Sequence, residues 1–347
     1  MTTLNLHALL AYAKQMNASD VHLSAGEAVR LRIDGKMTAI ETTPLDDADV
    51  KHLIKSIVDD EVFDEILTNK QKDFCFQIKG LCRFRANVFQ QNRGLSAVFR
   101  LIPNQLLNLD ELKSGDTLKR ICQLTHGLVL VTGATGSGKS TTLSSMIDHI
   151  NSTRAVHILT IEDPIEFIHT SKTALINQRE IHRDAHSFDD ALHAAMREDP
   201  DVILIGELRD LTSIRLALRA AETGHLVLAT LHTNSAAKAI DRIIDVFDSH
   251  EKNMIRTMLS ESLQAVIAQT LLPKIGGGRI AAFEIMIATP AIANLIRENK
   301  VAQMYSAIQT GAASGMISLD GSLKQLIEQG LITTDTARLT AKEPTNF

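Results

Sequence analysis

The chain contains two stretches that differ in how apolar and polar residues alternate. Up to residue 101, short alternating runs typical of half-buried strands are mixed with amphipathic helical patterns. From residue 113, longer apolar runs alternate with helical patterns, as in a parallel sheet covered by helices. The sequence therefore predicts an α/β fold in which a smaller α+β domain precedes a larger α/β domain.

The first stretch carries clear signals for both helices and strands. Apolar residues at helical spacing predict a helix near the start and further helices around residues 50–58 and 61–67. Val29, Leu31 and Ile33 alternate with polar residues, and Asp34-Gly35 after them is a strong hairpin signal. Three further strands are predicted at residues 74–78, 84–88 and 95–101.

Residues 102–112 lie between the two stretches and contain Pro103 and two asparagines. This composition indicates a linker, although we expect some of its leucines to pack on one of the domains. The predicted organisation is therefore a domain over 1–101, a linker over 102–112 and an α/β domain over 113–347 with helices at its end.

The strongest chemical signal is a phosphate-binding loop in residues 127–142, GLVLVTGATGSGKSTT. An apolar strand leads into Gly133-x4-Gly138-Lys139-Ser140, and a helical pattern follows, which is the context that a Walker A motif requires. Backbone N–H groups of such a loop surround phosphate oxygens, the lysine binds the β and γ phosphates, and the serine hydroxyl ligates Mg²⁺. The candidate nucleotide-binding residues are Gly133, Thr135, Gly136, Ser137, Gly138, Lys139, Ser140 and Thr141.

Two further predicted strands end in carboxylates. The run His157–Ile161 leads into Glu162-Asp163-Pro164-Ile165-Glu166, at the strand end where parallel sheets bind ligands. The apolar run from Asp201 to Glu207 has the form of a Walker B strand, and Glu207 is the better candidate to orient the attacking water. The alternatives are an acidic loop and ordinary acids at strand ends.

Histidines and arginines supply the other candidates. His225 and His232 bracket an apolar strand, and a histidine at the carboxyl end could hydrogen-bond a γ-phosphate, although a lone histidine is more often structural. Arg83 and Arg85 lie on one strand face. With Arg93 and Arg100 they form either a solvated basic surface or a group that reaches the nucleotide of an adjacent domain or subunit.

Composition argues against several classes of protein, including nucleic-acid-binding, zinc-binding and membrane-spanning proteins. The formal net charge of −5 gives no sign of a nucleic-acid surface, so no nucleic-acid partner is expected. The three cysteines, Cys75, Cys82 and Cys122, lack zinc or disulfide spacing and fit a reducing cytoplasm. No signal peptide is predicted, and no apolar stretch approaches the ~20 residues that span a bilayer. Membrane association is expected only through a partner.

This set of motifs resembles the secretion-type hexameric ATPases, and within them the PilT-type retraction motors of type IV pili. The resemblance runs through nearly the whole chain. Its blocks, in chain order, are ASDVHLS at 18–24, RFRANVFQQNRG at 83–94, GATGSGKSTT at 133–142, TIEDPIEF at 160–167, NQREIHRD at 177–184, REDPDVILIGELRD at 197–210, AAETGHLVLATLHT at 220–233 and KVAQMYSAIQTG at 300–311.

The resemblance implies a PAS-like N-terminal domain and a RecA-like ATPase domain in a homohexamer that hydrolyses ATP with Mg²⁺. The nucleotide would lie between the two domains, with Arg85 and Arg100 reaching it, and domain closure would be the power stroke. The implied site residues are Glu162, Asp163 and Glu166 as the family's Asp box, Glu207 as the catalytic glutamate, His225 and His232 as the His box, and Ser140 with Asp163 at the metal.

The resemblance also implies a setting in the cell. The motor would lie at the cytoplasmic face of the inner membrane, bound to the pilus platform protein, with a paralogous retraction ATPase as a further partner. One departure is Ala293, which stands where the family has the first arginine of its AIRNLIRE-type helix. Alanine favours helix, so the helix should form, and the change concerns a partner rather than hydrolysis.

Two alternatives stay open at this point. An assembly ATPase of the same superfamily would share the core, but it would carry a tetracysteine zinc element and extra N-terminal domains. An accessory, nucleotide-gated structural subunit would bind ATP and turn over little, and it should lack a catalytic acid or arginine.

Overall fold

The computed structural model describes residues 4–33, 35–102 and 106–347. Contacts between Cα atoms divide the chain into two units, each with its own sheet. The first unit comprises Met1–Gln105 and Pro164–Phe167, and the second comprises Leu106–Asp163 and Ile168–Phe347.

The first unit is built on a six-stranded antiparallel sheet with the strand order β3-β2-β1-β6-β5-β4. Its elements are α1 (Leu6–Gln15), β1 (Asp20–Ser24), β2 (Arg30–Ile33), β3 (Lys36–Ala39), α2 (Asp47–Lys55), α3 (Asp60–Asn69), β4 (Gln71–Ile78), β5 (Cys82–Gln91) and β6 (Gly94–Ile102).

The core of the first unit follows from strand alternation. Along β5, buried and partly exposed residues alternate, which places the apolar residues on one face. Phe84 and Phe99 are fully buried there, and the ring of Phe76 stacks on Phe84 at 5.3 Å and meets Phe99 edge-on at 5.9 Å. These aromatic contacts join the three long strands and leave the opposite face to polar side chains.

The second unit is a seven-stranded sheet with the order β13-β12-β7-β11-β10-β8-β9. Its strands are β7 (Gly127–Thr132), β8 (His157–Glu162), β9 (Leu175–Glu180), β10 (Val202–Ile205), β11 (Leu226–Leu231), β12 (Leu263–Pro273) and β13 (Arg279–Ile287). Its helices are α4 (Thr117–Cys122), α5 (Lys139–Thr153), α6 (Phe188–Ala195), α7 (Leu211–Glu222), α8 (Ala236–Asp245), α9 (Lys252–Ser262), α10 (Pro290–Arg297), α11 (Met304–Thr310), α12 (Leu319–Glu328) and α13 (Thr334–Thr340).

All neighbouring strands of this sheet pair in parallel except β12 and β13, which are antiparallel. Every residue of β7 and of β11 is buried, because helices cover both faces. Leu128 and Leu130 belong to one apolar cluster, whereas Val129 and Val131 belong to the cluster on the other face. Among the described helices, none combines the length and the apolarity needed to cross a membrane.

The predicted class, an α/β domain preceded by a smaller α+β domain, is confirmed. Asp34 and residues 103–105 of the linker lie outside the described residues. Leu109 and Leu112 are buried in the second unit, as expected for the linker leucines. The exact bounds 1–101 and 113–347 stay a prediction, since the first unit also takes in Pro164–Phe167.

The core of the second unit gives a stability prediction. Leu130 is fully buried at the centre of the sheet, so Leu130→Ala should lower the free energy of unfolding by about 2–5 kcal/mol. Leu339 is 90% exposed, and Leu339→Ala should change stability by less than about 0.5 kcal/mol. Urea unfolding followed by circular dichroism would measure both, and equal losses would contradict this packing.

Candidate active site

The candidate site lies at the carboxyl edge of the parallel sheet. Strands β7, β11, β10 and β8 are neighbours in that order and run in the same direction, so the segments that follow them meet at one edge. Those segments begin with Gly133, His232, Gly206 and Asp163. The fold thus brings together residues that are up to about a hundred positions apart.

The glycine-rich loop between β7 and α5 has a backbone that side chains would disturb. Gly133 has φ +151°, and a Cβ there would lie 2.5 Å from both the Gln269 carbonyl oxygen and the Ser137 hydroxyl. Gly138 adopts a left-handed conformation at the N-cap of α5, whose first N–H groups receive no side-chain cap. This end of α5 therefore offers donors and a positive dipole to an anion.

The buried side chains of the loop also fit a phosphate ligand. The Gln269 amide donates to the Ser137 carbonyl oxygen at 2.6 Å and fixes the loop against β12. The Ser137 hydroxyl is buried and has no hydrogen-bond partner among the described residues. A buried hydroxyl normally has a partner, so a bound phosphate oxygen would satisfy it.

Lys139 places its ammonium inside this loop. The residue is only 8% exposed, and Nζ donates to the carbonyl oxygens of Gly133 at 2.9 Å and Ala134 at 3.1 Å. The same nitrogen lies 3.4 Å from Nδ1 of His232. The ammonium is thus held at the glycine-rich loop beside the start of α5, a position from which a lysine could bind β and γ phosphates.

His232 connects Lys139 to the candidate catalytic carboxylate. Its Nε2 lies 3.1 Å from Oε1 of Glu207. The neutral tautomer with the proton on Nε2 satisfies both contacts, since Nε2 then donates to the carboxylate and Nδ1 accepts from the ammonium. The predicted trio of Lys139, His232 and Glu207 is therefore one continuous network.

Arg209 occupies the other oxygen of Glu207. Its Nε donates to Oε2 of Glu207 at 2.9 Å, and its guanidinium lies 3.6 Å from Oδ2 of Asp163. The hydrogen bond to Glu207 is the main cause that raises the pKa of Arg209. Arg209 thus holds two carboxylates from neighbouring strands beside each other, which would otherwise repel.

The other acidic candidates are divided between the two units. The Glu162 carboxylate accepts from the Thr160 hydroxyl at 2.7 Å and from the Gln178 amide at 3.3 Å. Glu166 belongs to the first unit, where its carboxylate lies 3.8 Å from the guanidinium of Arg85. Among the three predicted Asp-box residues, Asp163 contacts Arg209, which in turn holds Glu207.

The candidate arginines lie in the first unit. Arg85 on β5 and Arg100 on β6 are opposite each other in register, so they share one face of the sheet. Arg100 donates to the buried carboxylate of Asp20 at 2.8 Å. The reserve candidates are also engaged within this unit, Arg83 with the Ile165 carbonyl oxygen and Arg93 with Glu27.

His225 is not brought to the loop of its own chain. It precedes β11, and its Nδ1 lies 3.0 Å from the Ala220 carbonyl oxygen. His232 follows the same strand, so the two histidines lie at opposite ends of β11. The six residues of the strand separate them by about 20 Å. With this placement, His225 and His232 of the same chain cannot contact one phosphate together.

Sequence reasoning missed three contributors to the site. Arg209 lies only two residues after Glu207, so its proximity to that strand end was a usable signal. Gln269 fixes the loop from a distant strand, without a local motif. The Thr132 hydroxyl donates to the Thr233 carbonyl oxygen at 2.6 Å and ties together the ends of β7 and β11.

The arrangement is suited to phosphate chemistry that involves a divalent cation. Hydroxyl and carboxylate oxygens are the ligands that Mg²⁺ prefers, and Ser140 at the start of α5 and Asp163 at the end of β8 supply them. Glu207 provides a carboxylate that could orient a water, and Lys139 with the start of α5 provides positive potential.

Comparison with known proteins identifies the class to which this site belongs. The model of the family described as "Type II/IV secretion system protein" matches residues 2–278. The chain belongs to this family of nucleotide-binding ATPases. The fold class implied by the resemblance, a RecA-like ATPase domain after a smaller PAS-like domain, is confirmed.

Individual relatives place the chain within that family. It is 59% identical to "Type IV pilus retractation ATPase PilT" of Pseudomonas aeruginosa, with 98% of each chain covered. It is 53% identical to "Twitching motility protein" of Neisseria gonorrhoeae, covering 90% of this chain and 84% of the relative. Among solved structures, the pilus retraction motor PilT with bound ADP matches with a TM-score of 0.89 and 45% identity over 99% of each chain. The ATPase DotB of Legionella pneumophila matches with a TM-score of 0.83 and 28% identity, covering 98% of this chain and 96% of that chain.

The loop geometry predicts the effect of a single methyl group. Gly133→Ala should weaken ATP binding at least about tenfold, because the new Cβ would meet the Gln269 carbonyl oxygen at 2.5 Å and displace the loop. Gly80 in the first unit has φ +81° and open space around it, so Gly80→Ala is a control for backbone strain alone. Equilibrium binding of a fluorescent ATP analogue would measure both, and similar affinities in the two variants would contradict the steric explanation.

Proposed function

We propose that this chain is an ATP-hydrolysing motor that powers retraction of type IV pili. The observation that carries the proposal is the continuous network of Lys139, His232 and Glu207 at the carboxyl edge of the sheet. The names of the relatives that match nearly the whole chain supply the biological process, retraction and twitching motility.

In the proposed reaction, ATP binds with its phosphates in the loop between β7 and α5. Lys139 then exchanges its carbonyl contacts for phosphate oxygens, and the unpartnered hydroxyl of Ser137 gains an acceptor. Mg²⁺, held by Ser140 and Asp163, would neutralise charge on the β and γ phosphates. Glu207 orients the attacking water, and Arg209 keeps this carboxylate in place.

His232 would report the state of the γ-phosphate to the rest of the unit. Its Nδ1 faces the lysine that binds this phosphate, and its Nε2 faces the carboxylate that acts on water. Gain or loss of the γ-phosphate changes the partner available to the lysine, so the histidine must adjust its contacts. We assign no phosphate contact within the chain to His225, because it lies at the other edge of the sheet.

The active form proposed is a homohexamer. Arg85 and Arg100 are the candidates that would complete a nucleotide site, and arginines supplied in this way raise hydrolysis by about 10³–10⁵ in related enzymes. To reach a nucleotide, Arg85 would have to leave the carboxylate of Glu166, and Arg100 would have to leave that of Asp20. Glu162 and Glu166 stay candidates for supporting Asp163.

The proposed setting is the cytoplasmic face of the inner membrane, where the motor would bind the pilus platform protein. A paralogous retraction ATPase is a further proposed partner, since the chain is 36% identical to "Type IV pilus ATPase PilU" of Pseudomonas aeruginosa. Ala293 on α10, partly exposed, marks where engagement of such a partner would differ from that of other family members.

The role of Glu207 is tested by removing its charge. Glu207→Gln should lower the steady-state rate of ATP hydrolysis by at least about 100-fold while ATP binding persists, because the amide keeps the size but cannot accept a proton. Asp201 stands at the opposite end of β10, where its carboxylate accepts from the backbone of His157, so Asp201→Asn is a matched control that should stay active. Full turnover by Glu207→Gln would refute the assignment of the catalytic carboxylate.

The cellular process is tested by deletion of the coding sequence followed by imaging of surface pili. A retraction motor is needed to remove pili, so deletion should give more pili per cell and abolish twitching. Bald cells would overturn retraction and favour an assembly ATPase. Unchanged pili together with little turnover of the purified protein would instead favour an accessory subunit.

A further inference from the structure

Glu284 is a buried carboxylate that the proposed reaction does not use. It lies on β13, and its side chain is only 3% exposed. It stands opposite Ala268 of β12, which in turn stands opposite Thr132 of β7. Thr132 is the last residue before the phosphate loop, so Glu284 lies in the row of the sheet that borders the active site.

Both oxygens of Glu284 are engaged. Oε1 accepts from the backbone N–H of Ala236, the first residue of α8, at 2.8 Å. Oε2 accepts from the ammonium of Lys342 at 2.5 Å. The carboxylate thus holds the N-terminus of α8, where its negative charge is favoured, and Lys342 supplies the counter-charge that a buried carboxylate needs.

Lys342 is itself fixed in the segment that follows α13. Its backbone N–H donates to one oxygen of the buried Asp320 at 2.8 Å, and the N–H of Glu343 donates to the other at 3.0 Å. The ammonium also lies 4.1 Å from the centre of the Tyr305 ring. Burial, together with these nearby carboxylates, raises the pKa of Tyr305. The backbone at Lys342 is therefore held by Asp320 of α12, which places the lysine side chain beside Glu284.

The segment between β11 and α8 contains only residues 232–235. Near its start, the Thr233 N–H and carbonyl group both bond to the Thr132 hydroxyl, at 2.9 Å and 2.6 Å. At its end, Ala236 is held by Glu284. His232 lies in this short, doubly fixed segment, so the place where α8 begins limits where the imidazole can stand.

We propose that the Glu284–Lys342 ion pair positions His232, so that the segment after α13 helps to set the rate of ATP hydrolysis. This inference rests on the proposed function and on the role of His232 in it. Without Lys342, the carboxylate would lie buried without a counter-charge, and it would either take up a proton or move toward solvent. Either response weakens its hold on Ala236 and releases the segment that carries His232.

The effect should fall on turnover and not on nucleotide binding. Glu284 contacts Ala236 and Lys342, and neither residue belongs to the loop and helix start that would bind phosphate. Lys342→Met keeps a long apolar side chain beside Tyr305 but removes the charge. We expect this variant to lose about five- to tenfold in kcat while KM for ATP stays within about twofold.

The matched control is Lys324→Met. Lys324 lies on α12 in the same C-terminal part of the chain, is exposed, and has its ammonium over the ring of Phe347. This substitution removes one lysine charge without touching Glu284, so it should leave kcat and KM unchanged. A loss equal to that of Lys342→Met would overturn the inference, since any change of charge in this region would then suffice.

Non-additivity distinguishes positioning of His232 from a general loss of stability. In a His232→Ala background, Lys342→Met should change kcat by less than about twofold, because the group that it positions is already gone. An equal fractional loss in both backgrounds would overturn the inference. A wild-type protein that hydrolyses no ATP would instead refute the proposed function itself.

A second variant keeps the test decisive if Lys342→Met folds poorly. Glu284→Gln combined with Lys342→Met removes both charges, and the glutamine carbonyl oxygen can still accept from Ala236. This double variant should recover kcat to within about threefold of wild type. Turnover as low as in Lys342→Met alone, in a protein that melts at the wild-type temperature, would show that neutral contacts cannot replace the pair and would overturn the inference.

Discussion

The site depends on one constraint, a largely buried lysine whose ammonium is held at the glycine-rich loop. Charge in such a place must be compensated, and here two loop carbonyl oxygens and the Nδ1 atom of His232 share it. The carbonyl oxygens are neutral acceptors, so a phosphate that arrives with full negative charge would bind the ammonium more strongly than they do. The contacts of Lys139 within the protein are therefore exchangeable, and the exchange necessarily involves His232. Binding of a phosphate to Lys139 would therefore change a contact of His232.

The parallel sheet makes this coupling possible. Hydrogen bonds fix the register between neighbouring strands, so the ends of β7, β11 and β10 cannot shift independently. Thr132 and Thr233 add a direct link between the first two of these ends. Because the strands are buried on both faces, the rigid part of the unit is its centre. Lys139, His232 and Glu207 lie just beyond the ends of these buried strands.

Where the signature is local, the sequence predicted segments that the fold brings to one edge of the sheet. The phosphate loop, the strand before Glu207 and the histidine after β11 each have a signature within about ten residues, because short-range backbone geometry produces them. The α/β class followed from apolar runs that alternate with helical patterns. Strand β9 was not predicted, since its exposed and buried residues alternate irregularly at an edge of the sheet.

Residues that act across the sheet had no such signature. Gln269 and Glu284 reach their partners from strands far along the chain, and only the strand order brings them there. His225 and His232 are the converse case, because they flank the same strand in sequence but lie at its opposite ends in space. Two residues that flank one strand lie at its two ends, and only the residue at the carboxyl end lies near the candidate site. The direction of the strand must be known before that residue can be identified.

The buried charge of Glu284 links two distant segments of the chain, the start of α8 and the segment after α13. A hydrophobic side chain in its place would pack adequately, yet it could not accept from the first N–H of α8 or require a counter-charge. The carboxylate makes the helix terminus depend on Lys342, a residue 58 positions further along the chain. If the C-terminal segment moved away, the Glu284 carboxylate would lose the counter-charge of Lys342. The carboxylate would then hold the N-terminus of α8 less firmly, and α8 could move. Since α8 begins four residues after His232, that movement would reach a side chain that contacts both Lys139 and Glu207.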